Sequence, residues 1–141
     1  MFVDPTLLLH GNCPKEEFWA VLAHEDVHIK NYLSGRTKVR QISVCRRDNI
    51  GKRCAFEFFL DEHQGIMKHM ELLISINSLH LAPPVIRENC NPRDLKRSDL
   101  TIFRKAYIDS GAVNPFYAQY YDEFERLMLT DESLVYAVLQ N

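Results

Sequence analysis

The run from Lys30 to Arg53, KNYLSGRTKVRQISVCRRDNIGKR, constrains this chain more than any other stretch. It holds eight basic residues (Lys30, Arg36, Lys38, Arg40, Arg46, Arg47, Lys52 and Arg53) against one acid, Asp48. The whole chain carries −2, so the +7 of this run is set against −9 elsewhere. A small protein that gathers positive charge on one segment can attract a polyanion and stay soluble elsewhere. Apolar Val39, Ile42 and Val44 alternate between turn signals, a period that predicts β-strands. The run therefore reads as a basic β-surface for nucleic acid. The plainer alternative is a solvated edge hairpin whose charges prevent aggregation.

With 141 residues, 46% hydrophobic and 26% charged, the chain suits a single globular domain with one real core. No apolar run approaches the ~20 residues that span a bilayer, so no membrane partner is expected. The N-terminal MFVDPTLLLHGN lacks the basic start of a secretory signal, which predicts an intracellular protein. Four cysteines (Cys13, Cys45, Cys54 and Cys90) form no CxxC pair, against a zinc ribbon or a disulfide framework. Cys45 and Cys54 could face each other across the hairpin, but are expected to serve as small apolar residues.

Taken in order, residues 1–13 read as an extended lead-in. Pro14, with Glu16 and Glu17 in the first turn, opens a helix over about 14–26. Ser34-Gly35 marks a turn that pairs 27–33 with 37–45 as a hairpin. After Asp48-Asn49-Ile50-Gly51, the aromatic run 53–60 reads as a third strand. Asp61 reads as the N-cap of a helix over about 62–79, with Ile66, Met70, Leu73 and Ile76 on its packing face. Residues 83–94, with three prolines, read as a linker. Beyond it come a helix over 99–109 capped by Ser98 and closed by Gly111, one over 115–129 opened by Asn114-Pro115, and a short last helix to about 140. From Asp109 onward there are six acids and one base, Arg126. This acidic tail is expected to be a solvated face, a dock for its own basic sheet, or a site for a protein partner.

One enzyme-like motif stands in the first helix: His24-Glu25-Asp26-Val27-His28, which matches HExxH. On a helix, histidines four apart project to one side and share a zinc ion, while the glutamate activates its water. Against it, Asp26 puts a charge inside the motif, no third ligand follows at metzincin spacing, and 27–32 alternates like a strand. Glu57, Glu62 and His63 are candidates further on, outside any recognisable second motif. This makes a small zinc hydrolase one alternative, beside a protein-protein interaction module, rather than the leading expectation.

The stretch 27–76 resembles the positive-cofactor-four family of transcriptional coactivators, which bind single-stranded DNA. Val27-His28-Ile29-Lys30-Asn31-Tyr32 looks like its first strand, and Gly35-Arg36-Thr37-Lys38-Val39 like the turn and second strand. Gly51-Lys52-Arg53 leading into Phe56-Glu57-Phe58-Phe59-Leu60-Asp61 looks like the last strand and helix cap. The resemblance implies a curved antiparallel meander followed by one helix. It also implies a homodimer formed through the helices, with the single strand across the β-ridges.

The sequence thus predicts an α+β protein: a β-meander, a packing helix, an N-terminal helix and a C-terminal helical extension. Its expected role is to bind single-stranded DNA or RNA with little sequence specificity, as a nuclear or nucleic-acid-associated cofactor rather than an enzyme. Lys30, Arg36, Lys38, Arg40, Arg46, Arg47, Lys52 and Arg53 would meet phosphates, and Tyr32 and Phe59 would stack on bases. No cofactor is expected. The metal alternative rests on His24, Glu25 and His28.

Overall fold

The residues that fill the core recur at helical spacing. Phe56, Phe59, Leu60, Ile66, Met70 and Leu73 are all buried, and their three- and four-residue steps place them on one face of a helix. The computed structural model of the chain describes residues 14–38 and 40–140. Its central element is a 25-residue helix, Gly51–Ser75, about 37 Å long at 1.5 Å per residue. We call it α3. Before it stand α1 (Lys15–Leu33) and α2 (Ile42–Arg47). After it come a 3₁₀ turn (Leu79–Leu81), α4 (Pro84–Asn89) and α5 (Leu95–Phe103). A π-helical turn (Arg104–Ile108), α6 (Pro115–Ala118), α7 (Tyr121–Thr130) and α8 (Ser133–Gln140) complete the order.

All regular structure among the described residues is helical, which overturns the α+β expectation. There is no β-meander among them. The expected first strand, 27–33, is the second half of α1. The expected third strand, 53–60, is the first half of α3. A short aromatic run fits either period, and β-propensity is a weak preference that packing overrides. Here packing decides. The Phe59 ring meets Tyr121, Phe124 and Phe103 at centroid distances of 5.0, 5.2 and 5.7 Å. Phe58, one residue round the helix, stacks on Tyr117 at 5.6 Å. Asp61, expected as an N-cap, lies in mid-helix. The lead-in 1–13 and the strand residue Val39 lie outside the described residues.

Local signals fared better where a cap was involved. The Asn114 side chain accepts from the Phe116 N–H at 2.9 Å, opening α6 with Pro115 in its first turn. Gly35 and Gly111 adopt φ of +79° and +76° just past helical segments, conformations that suit glycine. The cap of α5 is Asp94 rather than Ser98. Ser98 is buried, and its hydroxyl donates back to the Asp94 carbonyl. The expected linker contains α4, and the expected helix 115–129 is divided into α6 and α7. The tail's acids are spread over the fold, pairing Asp122 and Glu125 with Arg104, Glu123 with Lys52 and Glu132 with Lys96.

Cys45 and Cys54 are buried, as expected of small apolar residues, but they also form a disulfide that ties α2 to the first turn of α3. The turn through Asp48–Ile50 brings their Cα atoms to 6.4 Å, within bonding reach. Among the described residues no helix is long and apolar enough to cross a membrane.

Phe59→Ala removes the ring at the centre of this cluster and should cost about 3–5 kcal/mol in denaturant unfolding. Leu134→Ala, at a site 47% exposed, should stay within about 0.5 kcal/mol of wild type. Equal effects would place the core elsewhere.

Candidate metal centre between two antiparallel helices

Helix α1 lies antiparallel on α3, as the pairs across the seam establish. Glu17 meets His69 at one end, while Asn31 meets Asp61 and Gln64 at the other. A helix repeats every 3.6 residues, so Glu17, Val21, His24 and His28 fall along one stripe of α1. Glu62, Ile66 and His69 form the facing stripe of α3. Gly65 lets the helices meet here. A Cβ at that position would lie 2.6 Å from both Cδ2 and Nε2 of the His24 ring, so the imidazole occupies the space that any other residue would fill.

The stripes bring imidazoles and carboxylates together. His28 Nε2 lies 3.2 Å from Glu62 Oε1, and His24 Nε2 lies 3.4 Å from Glu62 Oε2. Two ligands on one tetrahedral ion with bonds of about 2.05 Å stand about 3.3 Å apart. Each histidine nitrogen thus stands at ligand spacing from one oxygen of Glu62. The other nitrogen of His28, Nδ1, is 2.7 Å from Asp61 Oδ2. Asp61 is held in turn by the Asn31 amide, which donates to its Oδ1 at 2.7 Å. A carboxylate on the far nitrogen fixes the tautomer and orientation of a metal-ligating histidine. The Glu25 carboxylate completes the group, with ligand atoms of His24, Glu25 and His28 all within 4.8 Å of one another.

Opposing effects act on His28. Burial, the largest, pushes its pKa down. The Asp61 hydrogen bond and the charges of Glu62, Asp61 and Glu25 outweigh it and hold the imidazole above its ordinary 6.5. Burial likewise pushes Asp61 up, but hydrogen bonds from His28, Asn31 and Thr37 and the His28 charge hold it below the usual 3.8.

These groups form one wall of a cavity of about 550 Å³, within the range of small-molecule sites. The rest of the lining is apolar, with Val21 and Ile66 from the same two stripes and Leu81, Ile86 and Ile102 from later elements. Tyr107 joins it from the π-helical turn after α5. Its hydroxyl is pushed up to about 12, by burial first and then by the charges of Glu62 and Glu25. It therefore stays a neutral donor beside the carboxylates at neutral pH.

The HExxH residues thus fall together, because α1 continues to Leu33 and 27–32 is not a strand. The carboxylate that the sequence lacked at motif spacing comes from α3 as Glu62. The other candidates named from sequence lie elsewhere. Glu57 pairs with Arg40 at 2.9 Å, and His63 is buried between Asp99 and the Tyr121 hydroxyl. Glu17, His69 and Tyr107 were missed. The signal available for the first two was a repeated spacing, Glu17-x₆-His24 and Glu62-x₆-His69.

Most of the residues expected to bind nucleic acid are engaged in other contacts. Lys30, Arg40, Arg47 and Lys52 each pair with an acid, Asp26, Glu57, Asp48 and Glu123. Arg46 lies over the Phe116 ring at 4.7 Å. Arg53 is half-buried, whereas Arg36 and Lys38 are exposed on the α1–α2 connection. Tyr32 is exposed, but Phe59 is fully buried in the core, so no base can reach its ring.

Comparison with protein families, with curated proteins and with solved structures finds no match to this chain.

Gly65→Ala should displace the His24 ring and lower metal affinity about 10- to 100-fold. In the metal-free protein the cost of displacing the ring is offset in part by the better helix propensity of alanine, about 1 kcal/mol. Unchanged affinity in a metal titration would remove His24 from the ligand set.

The raised His28 pKa also has a pH signature in chelator-treated protein. Because the folded value lies above the unfolded 6.5, the stability it contributes is complete below that pH. It disappears as pH rises through the folded value. The stability difference between wild type and His28→Gln should therefore shrink as pH rises above 6.5 in urea unfolding. A flat difference would mean that His28 gains nothing from its carboxylates.

Proposed function

We propose that this protein is a metalloenzyme that binds a divalent first-row transition-metal ion through His24, His28 and Glu62. It acts on a small, largely apolar molecule held in the adjoining cavity. The observation that carries this reading is the placement of both His24 and His28 Nε2 atoms at 3.2–3.4 Å from the two oxygens of Glu62, at the wall of a cavity of about 550 Å³. Two imidazoles and one carboxylate suit zinc or iron(II) better than calcium or magnesium, which prefer oxygen ligands throughout. Three protein ligands leave coordination positions open, which is the mark of a catalytic rather than a structural centre.

When bound, such an ion acts as a Lewis acid and lowers the pKa of a coordinated water. The chain's own groups would do the rest. Asp61 holds the His28 ring through Nδ1, and Asn31 holds Asp61. Glu25, beside both histidines, would serve as the general base of the site. Tyr107 is placed to donate a hydrogen bond to a polar group of the bound molecule. The apolar wall excludes water and selects the molecule's body.

Zinc titration of chelator-treated protein, followed by calorimetry, should give saturable binding that His28→Ala or Glu62→Ala weakens at least about 100-fold. Glu71→Ala, exposed on the same helix, should bind as wild type does. Ion at about 100 times Kd should stabilise the fold by about 2.7 kcal/mol. Absence of binding by zinc, iron(II), cobalt and manganese alike would overturn the proposal.

A further inference from the structure

We infer that the same cavity takes a second divalent ion, held by Glu17 and His69, so that the centre is dinuclear. The inference rests on the metalloenzyme reading above and extends it along the seam. Glu17 Oε1 lies 2.9 Å from His69 Nε2. Two ligands at right angles on an ion with bonds of about 2.1 Å stand about 3.0 Å apart. The second carboxylate oxygen, Glu17 Oε2, is buried and makes no hydrogen bond, although Glu17 is only 6% exposed. A buried carboxylate oxygen without a partner is costly, and a cation beside it would offset that cost. Both side chains line the same cavity as His24, His28 and Glu62.

The two positions are related by the fold. Each helix presents a glutamate followed seven residues later by a histidine, Glu17 and His24 on α1, Glu62 and His69 on α3. Because the helices are antiparallel, the glutamate of each meets the histidine of the other. Glu62 stands 3.4 Å from His24, and Glu17 stands 2.9 Å from His69. The seam therefore carries the same donor pair twice, related by an approximate two-fold axis between the helices. The His24 and His69 rings meet edge to face at 6.1 Å between centroids, so the two positions adjoin. His28, Asp61 and Glu25 strengthen only the first, which makes it the tighter one. Paired ions serve as a clamp on both the attacking and the leaving oxygen of a substrate, and helical bundles build such centres from glutamates and histidines on facing helices.

The test is a Co²⁺ titration of the full chain after chelator treatment, with bound metal counted by equilibrium dialysis and its visible absorption recorded. Two ions per chain are expected, filled in two phases. Glu17→Gln and His69→Gln should each bind one ion, with the first-phase spectrum retained. Wild-type protein that saturates at one ion overturns this inference and leaves the mononuclear reading standing, a result that needs no variant to fold. No bound ion overturns both readings. Two ions still bound by both variants, with circular dichroism as in wild type, would place the second ion elsewhere and overturn the assignment.

Discussion

The close antiparallel seating of α1 on α3 is the constraint on which the candidate site depends. Gly65 permits it, because the His24 ring takes the volume that a Cβ would fill. From that approach follow the short distances across the seam and the partial burial of both HExxH histidines. Charged groups are seldom drawn into such a seam unless they find partners. Here each histidine has a carboxylate and most carboxylates have a histidine, with Glu17 Oε2 the atom left over. The other faces of α3 are occupied by an aromatic cluster from α5 and α7, which anchors the helix. One element thus carries both the core and half of the proposed ligands.

The seam also explains how acids and imidazoles share a small space without an ion. Protons can take the place of a metal, as the raised His28 and lowered Asp61 indicate. Protons and metal would then compete for the same nitrogens, and metal binding would release protons.

Part of this was legible in the sequence. Pro14 with Glu16 and Glu17, Asn114-Pro115 and Gly111 are local signals whose chemistry is complete within a few residues, and each marks a helical boundary. The helical C-terminal region was expected, and so was the pairing of His24 with His28 if their helix continued. The stretch 27–60 was misread because alternating and aromatic residues satisfy strand and helix periods alike. Contacts from residues 103–124 select the helix over 53–60, and Asp61 and Gln64 hold the end of the first helix. The basic charge of that stretch drew the reading towards a nucleic-acid surface, yet four of its eight basic residues are paired with acids. Glu62 could not be recognised as a ligand from spacing, because a turn, a second helix and a disulfide intervene before it returns to His28.

The π-helical turn at Arg104–Ile108 has a consequence for how this cavity could diverge. A π turn holds one residue more than an α turn, so deleting a single residue there would restore a regular helix and swing Tyr107 about 100° around its axis. The wall facing the carboxylates would change shape and lose its phenol, while His24, His28, Glu62 and their supports on α1 and α3 stayed in place. The ion-holding half and the half that selects the bound molecule are therefore separable inheritances, and one codon in this turn is enough to alter the second without touching the first.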